Sequence, residues 1–139
     1  MKGKFIAIVG PSAAGKTELV KALLAKLPHS SRLITNTTRL PREGEIHGKD
    51  YFFISESEFK QKITVGDFFE YAEVYGNWYG LSTTDLNHAL ENNKYVFIII
   101  DSKGAQSIKQ KLGDALFAVF IKAGSLEEIR KRIQKVRSD

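Results

Sequence analysis

One short run near the start of the chain has the residue types and spacing of a phosphate-binding loop. It matches G-x-x-x-x-G-K-[ST], in which glycines let backbone N–H groups face an anion, the lysine reaches the outer phosphates and the hydroxyl can ligate magnesium. We therefore predict that nucleotide phosphates bind to Gly10, Pro11, Ser12, Ala13, Ala14, Gly15, Lys16 and Thr17. The alternative is that the glycines only shape a tight turn.

The flanking sequence supplies the elements that such a loop needs. Residues 4–9 form a short apolar run typical of a buried strand, and residues 18–27 carry apolar side chains at helical spacing. A helix N-terminus adds a partial positive charge of roughly half a unit, which favours bound phosphate. This context favours phosphate binding over a turn without a ligand.

Composition narrows the classes of protein that remain. The chain has 139 residues, enough for one domain, with 42% hydrophobic and 27% charged residues, as in soluble globular proteins. The absence of cysteine excludes disulfides and thiolate metal sites and fits a reducing compartment. No run approaches the roughly 20 apolar residues of a membrane span, and we expect no signal peptide. The net charge of +5 suits anionic ligands, whether nucleotides or nucleic acid.

Strands and helices alternate at both ends of the sequence, which predicts an α/β fold with a mainly parallel sheet. A second strand is expected to begin at Leu33, and the stretch 37–45 is expected to be too polar for a core. Further strands are predicted at about 51–54, 68–75, 78–79, 95–100 and 115–121, and helices at about 56–63, 84–91, 103–112 and 125–136.

Three of these helices have recognisable start signals. Ser55 and Ser125 each precede a glutamate by three residues, which is the capping-box spacing. Thr83 or Thr84 is expected to cap the helix that follows the strand at 78–79.

Several motifs, in order along the chain, resemble guanylate kinase. After the loop come T-T-R-x-P-R-x-G-E at 37–45, G-K-D-Y-x-F at 48–53, F-E-Y-A at 69–72, G-N-W-Y-G at 76–80 and I-D-x-x-G-A at 100–105. The loop alone is generic, whereas the first of these motifs together with G-N-x-Y-G is specific. The resemblance implies transfer of the γ-phosphoryl group of ATP to GMP or dGMP, with Mg²⁺ as cofactor.

The resemblance also implies an architecture and a setting. The fold is expected to be a P-loop NTPase core, with a parallel sheet flanked by helices, at residues 1–34 and 82–139. A small mixed α+β GMP-binding subdomain is expected as an insertion at residues 35–81. We expect a cytoplasmic monomer or homodimer that does not bind membranes. We also expect no binding of nucleic acid, because no interleaved aromatic and basic platform is evident.

The phosphate of the acceptor nucleotide must be bound by positively charged donors, and two arginines have a suitable spacing. Arg39 and Arg42 can converge on one phosphate with forked donors, and Tyr51 and Tyr79 can add hydroxyl groups. Related enzymes use the matching residues in this way, and with Lys16 the two arginines are the expected catalytic groups. The alternatives are a solvated charged turn and half-buried core tyrosines.

Guanine presents N1–H and an exocyclic amino group, and a carboxylate can accept from both. Glu70 matches the guanine-reading acid of the family, and an unpaired acid would reject adenine. By resemblance, Thr35 helps to hold the base, Glu45 orients the arginines and Gly80 belongs to the acceptor site. The alternative for Glu70 is an exposed glutamate on a strand.

Asp101 ends a buried apolar strand close to where the phosphates are expected. Such a carboxylate usually supports magnesium, here together with Thr17, and the matching acid of the family also lies near the acceptor nucleotide. Both roles stay open, beside the simpler one of a strand-ending aspartate.

The sequence departs from the family pattern at three places. Leu81 stands where a threonine or serine is usual, unless Ser82 substitutes, and Ile99 stands where an acid is frequent. The lid is expected to be represented only by its start, with Arg137 as its one catalytic arginine. Both a fragment of a full guanylate kinase and a naturally short relative with little turnover fit these departures.

Two other functions compete with the kinase. One is a guanylate-kinase-like binding module that recognises phosphorylated peptides, although such modules typically lack a working phosphate loop. The other is a small kinase for a different nucleotide, against which the motif at 37–45 argues.

Overall fold

A computed structural model describes residues 3–11 and 14–122, and within these ranges the chain builds two β-sheets with helices. The strands are β1 (Lys4–Val9), β2 (Ser30–Arg32), β3 (Asn36–Thr37), β4 (Phe52–Phe53), β5 (Phe68–Val74), β6 (Asn77–Ser82), β7 (Tyr95–Ile99) and β8 (Leu116–Phe120). The helices are α1 (Lys16–Lys26), α2 (Glu56–Thr64), α3 (Thr83–Asn92) and α4 (Ser102–Leu112), with a 3₁₀ turn at Gly113–Ala115.

The first sheet has the order β2-β7-β1-β8, and all its pairings are parallel. Apart from Lys4, its central strands are made of apolar and aromatic residues, because helices cover both faces. Val96 and Ile98 pack with residues of α3 and α4 on one face, whereas Ile8 and Phe97 pack with Val20 of α1 on the other. This is the α/β arrangement with a parallel sheet flanked by helices that the sequence predicts.

The second sheet has the order β4-β3-β6-β5 and is mixed, with β3 parallel to β4 and antiparallel to β6. Its strands come from the stretch between β2 and α3, and α2 packs against it. Among the described residues, no helix is long and apolar enough to cross a membrane.

Two sequence expectations are wrong near the junction of the sheets. The second strand is not at Leu33 but just before it, because Ser30 and Ser31 pair with β7, and this tertiary pairing overrides their polar composition. Thr37 is fully buried although its stretch is polar. Its hydroxyl donates to the carbonyl of Trp78 at 2.9 Å and accepts from the N–H of Arg39 at 3.1 Å, so burial leaves no polar atom of the hydroxyl unpaired.

The helix starts follow capping chemistry, with one correction. Ser55 accepts the Glu58 N–H at 3.1 Å, as its capping box predicts. Helix α3 is capped not by a threonine but by Ser82, whose hydroxyl accepts the Asp85 N–H at 3.2 Å, since both threonines already lie within the first helical turn. The predictions that concern Ser12, Ala13, Arg137 and the helix after Ser125 lie outside the described residues.

Candidate functional site

A cleft of about 210 Å³ lies between the two sheets, at the carboxyl end of β7. Seven residues predicted for the site line it, together with seven apolar residues that were not predicted to bind. The predicted residues are Lys16, Thr35, Tyr51, Glu70, Tyr79, Gly80 and Asp101; the others are Ala72, Val74, Leu81, Ile99, Ile100, Gly104 and Ile108. The cleft therefore joins the phosphate loop, the second sheet and the start of α4.

A β-bulge turns Glu70 into this cleft. Phe68 pairs with Ser82 and Glu70 with Leu81, so β5 has one more residue than β6 at this point, and Phe69 is the extra one. Side chains of a strand alternate between the two faces, and one extra residue reverses the alternation. Beyond the bulge, β5 directs Glu70 and Ala72 toward the cleft, while Phe68 packs on the other face against Phe59, with ring centroids 4.6 Å apart.

Gly80 has a steric role on the face opposite the cleft. It pairs with Tyr71, and a Cβ at this position would lie 2.6 Å from the ring of Phe68. Only glycine therefore allows the Phe68 ring to cross β6 and reach α2. Gly80 lines the cleft with its backbone, so its part in binding the acceptor stays a prediction.

We expect Gly80→Ala to lower the free energy of unfolding by about 1–3 kcal/mol, because the added methyl group must displace the packed ring of Phe68. Urea denaturation measures the change. The control is the same substitution in a Phe68→Leu background, where the smaller side chain leaves room and the added cost should be clearly smaller. Equal costs in both backgrounds would contradict this account.

Arg39 is held by a bidentate ion pair. Its guanidinium donates to both carboxylate oxygens of Glu45, at 2.8 and 3.0 Å, and lies 5.2 Å from the centre of the Tyr51 ring. The hydrogen bonds from Arg39 hold the pKa of Glu45 below its usual value, and the same pair raises the pKa of Arg39. Burial raises the pKa of Tyr51, so its hydroxyl stays protonated and can donate. A rigid cation thus stands beside the cleft.

Arg42 is placed differently from Arg39. Its backbone N–H donates to Glu45 at 2.7 Å, and the residue is exposed. Glu45 therefore fixes the side chain of one arginine and the backbone of the other. The convergence of the two side chains on a phosphate stays a prediction.

The pair between Arg39 and Glu45 predicts an acid-dependent stability. The folded pKa of Glu45 is below its ordinary value of 4.5, so its contribution is complete above that value and is lost as the pH falls through the folded pKa. Glu45→Gln should lower the free energy of unfolding by about 1–2 kcal/mol at neutral pH and flatten its decrease below about pH 4.5. Denaturation at a series of pH values tests this, with the exposed neighbour Glu43→Gln as control; parallel curves for Glu45→Gln and the unaltered chain would refute it.

In the described part of the phosphate loop, both glycines of the pattern stand where another residue would be unfavourable. Gly15 has a φ of 86°, which favours glycine, and a Cβ on Gly10 would lie 2.7 Å from the carbonyl of Ile121. The loop is closed by the Ala14 N–H, which donates to the Pro11 carbonyl at 3.0 Å. The sequence thus places glycine where other side chains would strain or collide.

Lys16 begins α1 and points back across the loop. Its ammonium donates to the carbonyl of Gly10 at 2.8 Å, and burial lowers its pKa, against an opposing effect of the nearby Asp101 carboxylate. A half-buried ammonium that lines the cleft beside the loop is well placed to meet a phosphate there.

Asp101 caps α4 and also faces the cleft. One carboxylate oxygen accepts the Gly104 N–H at 2.8 Å, and the other is not used by this cap. The described residues contain no cluster of three or more histidine, cysteine, aspartate or glutamate side chains that could hold a metal by themselves. Thr17 and Asp101 offer oxygen ligands of the kind that Mg²⁺ takes when substrate phosphates and water complete its shell, so the donors present fit this ion.

Both apolar departures from the family pattern line the cleft. Leu81 stands directly opposite Glu70, and Ile99 ends β7. Ser82 does not replace the missing hydroxyl group, because it pairs with Phe68 on the other face and caps α3. Glu70 therefore faces a largely apolar wall.

Sequence reasoning missed one charged residue beside the site. Lys111 of α4 approaches Glu70 Oε2 to 3.3 Å and donates to the Phe69 carbonyl. The helical spacing after Ile108 indicates that Lys111 borders the buried face of α4, but the meeting of α4 with β5 is a tertiary contact that no local pattern encodes.

Comparison with known proteins gives one family. The family model for guanylate kinase matches residues 2–139. A guanylate kinase of Clostridium perfringens is 44% identical over 138 residues, which cover 99% of this chain and 63% of that protein. One of Rubrobacter xylanophilus is 40% identical over 133 residues, 96% of this chain and 69% of that protein. The crystal structure of guanylate kinase from Anaplasma phagocytophilum superposes with a TM-score of 0.77 at 29% identity, covering 95% of this chain and 66% of that one. The chain belongs to the guanylate kinase family.

Proposed function

We propose that this protein transfers the γ-phosphoryl group of ATP to GMP or dGMP, giving ADP and the nucleoside diphosphate. The observation that carries the proposal is the single cleft that joins Lys16 of the phosphate loop to Glu70 of the second sheet. A cation that could bind phosphate and a hydrogen-bond acceptor for the guanine base thus line the same cleft. The chain spans 63% of the Clostridium perfringens relative, so activity, substrates and partners are proposals for the whole protein.

The chemistry asked of the protein is positioning and charge neutralisation, because phosphoryl transfer of this kind needs no protein nucleophile. The loop from Gly10 to Thr17 would hold the phosphates of ATP, and Lys16 would neutralise charge on the transferring group. Arg39, fixed by Glu45, would grip the acceptor phosphate with Arg42, Tyr51 and Tyr79. When bound, Mg²⁺ would be held by Thr17 and Asp101 and would neutralise phosphate oxygens.

The base of the acceptor would lie against β5 and β6. Glu70 would accept from N1–H and the exocyclic amino group of guanine, with Thr35 nearby and Gly80 lining the wall. An adenine base has no matching donor pair, so it would leave the carboxylate unpaired. This difference is the proposed origin of nucleotide specificity.

The remaining finer proposals follow from family membership. We propose the division into a core at 1–34 and 82–139 and an acceptor subdomain at 35–81, which matches the origin of the two sheets. We also propose that the protein works in the cytoplasm as a monomer or homodimer with Mg²⁺. The binding-module alternative is not favoured, because the chain retains Lys16 and Thr17.

A coupled assay of ADP release tests the proposed function. With ATP and Mg²⁺ present, GMP and dGMP should each accelerate ADP release far more than AMP or UMP. ADP release no faster with GMP than with AMP would overturn the proposal. Binding of GMP by calorimetry, without any turnover, would favour the binding module instead.

A further inference from the structure

Lys111 makes several contacts at the base of Glu70. Its ammonium lies 3.3 Å from Glu70 Oε2, donates to the carbonyl of Phe69 and lies 5.1 Å from the centre of the Phe69 ring. Lys111 belongs to α4, which packs on β1 and β8 of the first sheet and also on β5 of the second, the strand that carries Glu70. Where α4 meets β5, the side chain of Lys111 thus reaches the proposed guanine-reading acid.

The contact comes from outside the cleft. Among the described residues, α4 lines the cleft with Gly104 and Ile108, and Lys111 lies one helical turn further along. The side chain of Lys111 is 48% exposed, whereas that of Glu70 is 12% exposed. A cation behind a largely buried carboxylate leaves the front of that carboxylate directed at the ligand.

The bulge explains why a lysine is useful here. Phe69 is the extra residue of β5, and a bulged residue is not paired in the ladder. Lys111 supplies a donor to the carbonyl of that residue and a counter-charge to the next side chain. It therefore contacts both the backbone of the bulge that turns Glu70 inward and the carboxylate of Glu70.

We propose that Lys111 is a positioning residue that sets guanine specificity through Glu70. It holds Oε2 from behind, so that both carboxylate oxygens meet the N1–H and the amino group of a 6-oxo-2-aminopurine at once. Each carboxylate oxygen has two acceptor positions, so Oε2 can serve Lys111 and guanine together. The inference rests on the proposed function, because it concerns the base of the same acceptor nucleotide.

Removal of Lys111 should weaken binding of the acceptor nucleotide and leave the stability of the fold nearly unchanged. A half-exposed ion pair contributes little to the stability of a fold. The orientation of a buried carboxylate, in contrast, decides whether two hydrogen bonds to one base can form together. The two effects are measurable separately.

The test compares KM for GMP, KM for ATP and kcat among variants. Lys111→Met keeps the apolar stem and removes the charge. It should raise KM for GMP about 3- to 30-fold, within the range of interaction energies between residues in contact. KM for ATP and the midpoint of thermal unfolding should stay unchanged. Lys111→Arg should restore most of the GMP affinity. In a Glu70→Gln background, Lys111→Met should have little further effect, because its route of action is already gone.

Lys60→Met is the matched control. Lys60 forms an exposed pair with Glu56 on α2, at 3.4 Å, so the variant loses the same charge and a similar pair away from the cleft. It should leave KM for GMP unchanged. An unchanged KM for GMP in Lys111→Met, an equal rise in KM for ATP, or additive effects of Lys111→Met and Glu70→Gln would each overturn the inference. If the unaltered protein does not prefer GMP to AMP, the proposed function itself fails and this inference with it.

Discussion

Lys16→Ala should lower kcat for phosphoryl transfer by about 10²- to 10³-fold, as expected when one preorganised donor to developing charge is removed. Lys16 is the cation that the structure places at the junction of the phosphate loop and the cleft, where its pKa is lowered by burial. A half-buried ammonium with water excluded acts on a nearby phosphate far more strongly than an exposed one.

Steady-state ADP release, at saturating ATP and GMP, measures this change. Lys21→Ala is the control, because Lys21 lies exposed on the same helix and its replacement removes the same charge. Its rate should stay near that of the unaltered protein. Circular dichroism should show that both variants fold. A Lys16→Ala enzyme with turnover within a few-fold of normal would remove the loop lysine from the proposed mechanism.

Glu70→Gln should lower kcat/KM for GMP by about 10- to 100-fold. This is the range expected when a hydrogen bond to a charged group, which contributes about 1.5–3 kcal/mol, is lost. A glutamine retains one acceptor and turns a donor toward a base edge that itself donates. Leu81 stands directly opposite and Ile99 also lines the cleft, and neither side chain has an oxygen that could replace the lost acceptor. KM for ATP should not change, because the loop that would bind it is intact.

The control for this variant is on the same strand. Glu73 lies exposed beyond the bulge, on the opposite face of β5, so Glu73→Gln removes an equal charge without touching the cleft. It should leave both KM values as they were. Unchanged GMP affinity in Glu70→Gln, with an unchanged ratio of GMP turnover to AMP turnover, would show that another group recognises the base.

Several elements could be predicted because their residues carry the decisive information locally. The apolar strand at 4–9, the glycines of the loop and the capping serine before α2 each specify their own conformation. The strand at 30–32 could not, since its serines are polar and pair only because β7 lies beside them. The burial of Thr37 likewise depends on partners from β6, about 40 residues further along the chain.

The candidate site divides in the same way. The spacing of Arg39 and Arg42, and the family resemblance at Glu45 and Glu70, predict acceptor chemistry, which stays a prediction. The contact of Lys111 with Glu70 does not follow from any spacing, because it joins residues 41 positions apart, one on helix α4 and the other on strand β5. Which face Glu70 occupies also does not follow from alternation: counted from Phe68, a regular strand would direct both side chains to the same face.

The number of residues in β5 decides on which face of the sheet Glu70 lies. Because a single supernumerary residue decides which side of the sheet the acid occupies, an insertion or deletion between Phe68 and Glu70 would act as a change of specificity while leaving every residue of the site in the sequence. Relatives compared column by column could keep the same glutamate and yet differ in what it contacts. The proposed recognition of a base by this protein would therefore depend on the number of residues in β5 as well as on their identity.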